Sequence, residues 1–274
     1  MAGFGAVYCL YDDIEYLDLS LETVAPQLEK VLFLISEVPW NGRPSDNSAE
    51  IRHVEQLVEK HSNFELIRGR WTNEIDQRNF GLARFSGEGI DYCFIIDTDE
   101  IYHAQHFANI KATISANPQI AAFHLEWNTY WKKSYHRIEP REGYRPLVAV
   151  KCNSFEFNVI RGGTTAVRRM ASRTWLDSSG AGYNGAIIPL ESAVCYHLSY
   201  ARNDDYMLRK LETNSHAPEF IKHWYDEVWL KWTPDARNLH PVSPAQYQMA
   251  VPEDLSNLPE HLRRFIEAES SGQS

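Results

Sequence analysis

Apolar residues in the first half of the chain come in short runs separated by stretches of helical period. Residues 4–11 predict a strand. Leu17, Leu21, Val24 and Leu28 then recur every three or four positions, the spacing of one helical face, and predict a helix from Leu17 to Leu28. Val31 to Ser36 predicts a second strand. Asn47 reads as an N-cap with Glu50 as its capping-box partner, opening a helix whose apolar side is Ile51, Val54, Leu57 and Val58. Phe64 to Arg68 predicts a third strand, and Thr72 or Asn73 caps a helix running to about Phe85. Residues 92–96 predict a fourth strand and Ile120 to Trp127 a fifth. Strand and helix alternating in this way predict an α/β fold, a mostly parallel sheet with helices on both faces.

The fourth run carries the most chemistry. Tyr92-Cys93-Phe94-Ile95-Ile96 ends abruptly in Asp97, Thr98, Asp99 and Glu100. Open α/β sheets bind ligands beyond the carboxyl ends of their strands. Carboxylates placed there hold a hard divalent cation, and the cation in turn holds a diphosphate. The preceding helix has an anomaly. Arg78 and Asn79 lie between Ile75 and Leu82 on the stripe that should face the sheet. A cation and an amide on that side need partners, either structural or in a ligand site beyond the strand ends.

Composition narrows the classes. The chain has 274 residues, 43% of them hydrophobic, enough for one large core. A formal net charge of −10 disfavours nucleic acid and anionic lipid as partners in the absence of a local basic patch. Cys9, Cys93, Cys152 and Cys195 lie far apart without metal spacing and suit the core of a protein in a reducing compartment. Ala2 to Leu10 lacks a basic n-region and reads as a strand rather than a signal peptide. No apolar run approaches the roughly 20 residues that span a bilayer, so a cytoplasmic protein is expected, or one peripheral at a membrane.

The second half is less regular. It holds an aromatic segment (Trp127, Tyr130, Trp131, Tyr135), Gly-rich stretches around Gly162 and from Gly180 to Gly185, and an apolar run from Ala193 to Leu198. That run contains His197 and is followed by Tyr200, Arg202 and a helix from about Asp204 to Thr213. A division into a domain over 1–233 and an extension over 234–274, wrapping the surface and fraying at its end, is expected.

Three segments together carry a resemblance. The first is Glu74 to Leu82, with its Arg78-Asn79-Phe80-Gly81-Leu82 helix, followed by Tyr92 to Glu100. The second is Cys195 to Arg202 with Lys210-Leu211 and Ser215-His216, and the third is Glu37 to Pro44. The order is similar to GT-A fold nucleotide-sugar glycosyltransferases, and more narrowly to family 2 and the β-1,4-N-acetylglucosaminyltransferase-like family 17. The resemblance covers roughly residues 4–220 and implies a Rossmann-like three-layer sandwich. It implies Mn2+ or Mg2+ bound by Asp97, Asp99 and His197. Asp97 would also contact the ribose or donor sugar, and Arg78, with Asn79 beside it, the donor diphosphate or sugar. Tyr11, Asp12 and Asp13 would border the nucleoside, and Arg202 or Lys210 would assist as fixed cations.

The implied reaction is inverting transfer from a nucleotide diphosphate sugar, a UDP-sugar first, to a hydroxyl of a carbohydrate or other acceptor. Inversion requires one carboxylate base. No Glu-Asp pair stands in the middle region where family 2 members often place it, so Asp177 is nominated first, with Glu126 and Glu191 as alternatives. Three other functions compete. A nucleotidyltransferase would want a basic Gly-rich loop where Tyr11-Asp12-Asp13 stands. A non-catalytic carbohydrate-binding protein would not need the acidic triplet. A phage-type DNA-modifying glycosyltransferase is disfavoured by the acidic charge.

Overall fold

The computed structural model describes residues 2–40, 44–157, 175–176, 182–183, 185–213 and 219–271. Among them the chain runs β1 (Phe4–Leu10), α1 (Leu17–Val24), β2 (Lys30–Ser36), α2 (Ser48–Lys60), β3 (Phe64–Gly69), α3 (Glu74–Glu88) and β4 (Tyr92–Ile95). It continues through β5 (Glu100–Tyr102), α4 (Ala104–Ala116), β6 (Ala122–His124), β7 (Trp127–Trp131), β8 (Lys133–Glu139) and β9 (Leu147–Lys151). Then come β10 (Trp175–Leu176), β11 (Gly182–Tyr183), β12 (Gly185–Ile187), β13 (Cys195–Tyr200), α5 (Asp204–Thr213), β14 (Met249–Pro252) and α6 (Glu260–Ser270).

Seven strands form the main sheet in the order β12-β6-β9-β4-β1-β2-β3. Four of its six pairings are parallel, and only β9 runs against its two neighbours. The fold is therefore α/β with a mostly parallel, Rossmann-like sheet. Alternation along β1 builds the layers. Phe4, Ala6, Tyr8 and Leu10 join Leu17 and Val24 of α1, Val54 of α2, and Phe107 and Ile110 of α4 in one core. Val7, Leu32, Leu34, Cys93 and Ile95 meet Leu82 and Phe85 of α3 in the other. The helices thus lie on both faces, as the alternation predicts.

α3 approaches the sheet closely because position 81 has no side chain. A Cβ there would lie 2.8 Å from Val7 Cγ2 and 3.3 Å from Leu34 Cδ1. Asn73 caps this helix by accepting from the Asp76 amide at 2.8 Å. Gly89 closes it in the left-handed conformation, φ 79°.

Several local expectations are corrected. The Asn47–Glu50 capping box does not form. Asn47 precedes α2, but its amide donates to Ser36 O at 3.0 Å and ties the helix to β2 instead. α1 ends at Val24, and Ala25–Gln27 is a 3-10 turn, because Pro26 has no N–H to continue the helix. The strand expected over Ile120 to Trp127 is two strands in two sheets: β6 stays beside β9, and β7 leaves for a second sheet.

That second sheet, β14-β8-β7-β13-β5, was not expected from the sequence. It absorbs the aromatic residues of the second half. Trp131 and Trp229 are fully buried, packed with Trp224 and Tyr247. The stretch beyond Pro234 is built into this region: β14 pairs with β8, and Leu262 and Ile266 of α6 pack with Tyr16 and Leu19. Among the described residues no helix is long and apolar enough to cross a membrane.

Gly81→Ala tests the seating of α3. The added methyl forces Val7 or the helix to shift, and a loss of about 1–3 kcal/mol is expected for overpacking of this kind. Urea unfolding measures it. A variant as stable as the wild type would contradict the close contact.

Candidate functional site

Two sheet edges meet at the end of β4. After Ile95 the chain bends through Asp97 to Asp99 and enters β5, which pairs antiparallel with β13 and sets Glu100 opposite His197. Leu198 N–H donates to Asp99 O at 2.8 Å. Backbone pairing alone therefore brings His197 beside Asp99, 98 positions earlier in the chain.

The two aspartates differ. The Asp97 side chain is 40% exposed and lies 3.5 Å from Arg78 Nη2. The Asp99 side chain is 6% exposed. Its Oδ2 accepts from Arg202 Nη2 at 3.2 Å and Lys210 Nζ at 3.1 Å, while Oδ1 faces His197 Nε2 at 3.7 Å. Burial pushes the Asp99 pKa up, but the charges of Lys210, His197 and Arg202 outweigh it and hold the carboxyl well below the usual range.

Each cation is itself fixed. Lys210 also donates to Ser199 Oγ at 2.8 Å and to Ser199 O at 3.1 Å. Arg202 is fully buried, pairs with Asp13 and Glu15 as well as Asp99, and is sandwiched by the rings of Tyr16 and Tyr206 at 4.5 and 4.6 Å. Asp13 is thus at the same cluster as Asp99. Its neighbours turn elsewhere: Tyr11 and Asp12 grip Ser45, the Ser45 hydroxyl donating to Asp12 at 2.9 Å and the Ser45 amide to the Tyr11 oxygen at 2.7 Å. Burial raises the Asp12 pKa against the Ser45 hydrogen bond.

Arg78 faces inward as its stripe implies, and is 1% exposed. It pairs with Glu74 one turn back and with Asp97, and its Nε and Nη1 have no hydrogen-bond partner among the described residues. Asn79 is committed elsewhere. It donates to Phe157 O and accepts from Phe157 N, both at 2.8 Å, and so holds a ring that lies against Arg78.

Of the nominated bases, Glu126 and Glu191 lie among the described residues, and neither forms a hydrogen bond or ion pair with Asp99. Glu126 is held by Arg145 at 3.0 Å and Arg141 at 3.5 Å. Glu191 is exposed on the turn after β12. Asp177 lies outside the described residues, as do Arg161 to Gly163, Asn41 to Arg43, and Ser215 with His216.

Sequence reading missed several residues of this cluster: Glu15, Thr129, Ser199 and Tyr206. Ser199 lies two positions from His197 on β13 and Tyr206 one helical turn before Lys210 on α5, so both were findable. Thr129 carried no local signal.

Among the described residues no three metal-ligating side chains converge. Asp99 Oδ1 and His197 Nε2 nevertheless form a two-donor edge. Thr129 Oγ1 stands 3.5 Å from His197 Nδ1, and Trp127 stacks on the imidazole at 3.9 Å with 4° between planes. The ring is therefore oriented with Nε2 toward the carboxylate. Sites that offer a divalent cation one or two side chains complete its shell with substrate phosphate and water, and Asp99 with His197 fits that pattern.

No family model matches the chain, and no curated protein matches it. Weak likenesses exist among solved structures. S. aureus TarS 1–349 is 13% identical over 46% of this chain and 36% of its own, TM-score 0.36. The same protein in complex with UDP-GlcNAc is 14% identical over 46% and 35%, TM-score 0.37. The 4-diphosphocytidyl-2C-methyl-D-erythritol synthase from Anaerococcus prevotii is 11% identical over 77% of this chain and 96% of its own, TM-score 0.42. The matched region spans about a third of the TarS 1–349 length. None of these likenesses assigns an activity.

Arg202→Met leaves Asp13, Glu15 and Asp99 without their shared cation. A loss of about 3–5 kcal/mol is expected at neutral pH, the cost of stranding buried charge. Because Asp99 is held below its unfolded pKa, its contribution is present above roughly pH 4 and is lost as pH falls toward the folded pKa, so the gap between wild type and variant should narrow in acid. Urea unfolding at pH 7 and pH 2.5 measures both. A constant gap would contradict the electrostatic origin.

Proposed function

We propose that the chain is a metal-dependent inverting glycosyltransferase that moves a sugar from a nucleotide diphosphate donor, a UDP-sugar first, to an acceptor hydroxyl. The carrying observation is the buried Asp99 carboxylate at the end of β4, facing His197 and flanked by two fixed cations. The resemblance of the Arg78 and Asp97–Asp99 segments to GT-A enzymes supports the same reading.

The residues divide the work. The nucleoside lies against the loop of Tyr11, Asp12 and Asp13. The half-exposed Asp97 receives the ribose or donor sugar, its orientation set by Arg78. Arg202 and Lys210 supply fixed positive charge near the leaving diphosphate, at no reorganisation cost during reaction. Asp99 and His197, with Asp97 nearby, would hold Mn2+ or Mg2+, and a cation there would supply Lewis-acid stabilisation to that leaving group. A carboxylate takes the acceptor proton. Asp177 is the first nominee from sequence, and the arginine pairs of Glu126 count against it as a free base. The acidic loop after β1, spent on Ser45 and Arg202, disfavours a nucleotidyltransferase, which needs a basic one there.

Calorimetry with UDP tests the cation. Tighter binding is expected in Mn2+ than in EDTA. A cation held at Asp99 and His197 would add an attraction to the diphosphate beyond that of Arg202 and Lys210, whose charge Asp99, Asp13 and Glu15 already offset. Asp99→Asn should weaken the Mn2+-dependent part. Equal affinity in EDTA would contradict the metal role.

Arg78→Lys keeps the charge and loses the planar fork. If Arg78 orients the donor site through Asp97, the donor KM rises. A melting temperature lowered by many degrees with unchanged KM would make Arg78 a structural partner of Glu74 alone.

A further inference from the structure

The loop between β8 and β9 brings a carboxylate to the same face as His197. Thr129 Oγ1 donates to Glu142 Oε1 at 3.2 Å and stands 3.5 Å from His197 Nδ1. Tyr247 hydrogen-bonds both Glu142 and Thr129. The same loop presents Tyr144, 40% exposed, against Trp127 at 5.4 Å, and Trp127 stacks on His197. An unbroken line of contacts therefore runs from an exposed aromatic face through Trp127 and His197 to Asp99, with Glu142 beside it.

Glu142 differs from the other carboxylates here in its partners. Asp99 is neutralised by Arg202 and Lys210, and Glu126 by Arg141 and Arg145. Among the described residues no cation pairs with Glu142. Its hydrogen bonds come from two uncharged hydroxyls, and the phenol of Tyr200 is a further neighbour without positive charge. His197 lies one residue beyond Thr129. Neutral donors lower a carboxylate's basicity less than a pair of arginines does.

We propose that Glu142 is the base that takes the acceptor proton, and that Tyr144 with Trp127 is the face on which the acceptor packs. This rests on the glycosyl-transfer reading and assigns to Glu142 the role for which the sequence nominates Asp177. The acceptor O–H bond breaks and its proton passes to the Glu142 carboxylate. The oxygen's electron pair forms the bond to the anomeric carbon. The bond from that carbon to the diphosphate breaks, its pair leaving with the nucleoside diphosphate. Burial supports the role by pushing the Glu142 pKa up to about 7, against the lowering effect of the Tyr247 and Thr129 hydrogen bonds. A base works best when it titrates near the operating pH.

The test measures nucleotide released from UDP-GlcNAc, UDP-glucose and GDP-mannose with Mn2+, water serving as acceptor. Glu142→Gln should lower the rate roughly a hundredfold or more, as loss of a general base does. Its affinity for UDP in Mn2+ should stay unchanged, which also reports that the site is folded. Tyr247→Phe removes a hydrogen bond that favours the ionised carboxylate, so the acid limb of its rate profile should move to higher pH. A stability readout is independent of turnover. Ionising a carboxyl whose folded pKa is raised costs stability as pH climbs from about 4 to 7, so the melting temperature of Glu142→Gln relative to wild type should rise between pH 5 and pH 8. An active wild type whose Glu142→Gln form keeps its rate, while Asp177→Asn loses it, would overturn the inference and leave glycosyl transfer standing. A wild type that binds UDP and releases nucleotide from none of the donors would remove both.

Discussion

A buried carboxylate cannot stay ionised without compensation, and Asp99 is compensated from three directions. Arg202 and Lys210 share its Oδ2 and His197 faces its Oδ1. Those partners sit on β13, on α5 and in the short link between them, so the charge requirement ties the end of the parallel sheet to the second sheet. Arg202 extends the tie to the loop after β1 through Asp13 and Glu15. One electrostatic cluster thus joins the first loop, the acidic turn and the His197 strand. Under the proposed function these are the pieces that a nucleotide diphosphate would touch together.

The second sheet supplies the geometry that this cluster needs. β5 turns the chain straight from Asp99 into antiparallel pairing with β13, which places His197 without any side-chain interaction. The tryptophans of the second half then act mainly as packing. Trp131 and Trp229 are sealed in the core, and Trp127 stacks on His197. Function in this half lies less in the aromatic content than in the register.

Much of the first half was legible because its elements are local. β1, β2 and β4 are nearly continuous apolar runs, β3 is an apolar run broken by Glu65 and Arg68, and α3 announces itself through Asn73 and its period. The inward stripe of α3 was readable too, yet Arg78 and Asn79 are one residue apart and so point about 100° apart around the helix. Arg78 reaches Asp97, whereas Asn79 holds Phe157, a residue 78 positions away that no local pattern could disclose. The second sheet was illegible for a related reason. Its strands are short, β7 hides in one apolar run with β6, and the pairings are long-range. Glu142 sits in a polar stretch that reads as an ordinary loop. Only folding brings it to Thr129 and Tyr247.

The central claim is that Asp99, His197, Arg202 and Lys210 receive a diphosphate together with its cation. A crystal structure of the protein grown with UDP and MnCl2 tests it most directly. The account predicts anomalous manganese density between Asp99 and His197, with the diphosphate bridging from the metal toward Arg202 and Lys210. UDP bound away from the end of β4, or bound there with Asp99 still paired to Lys210 and no manganese, would contradict it.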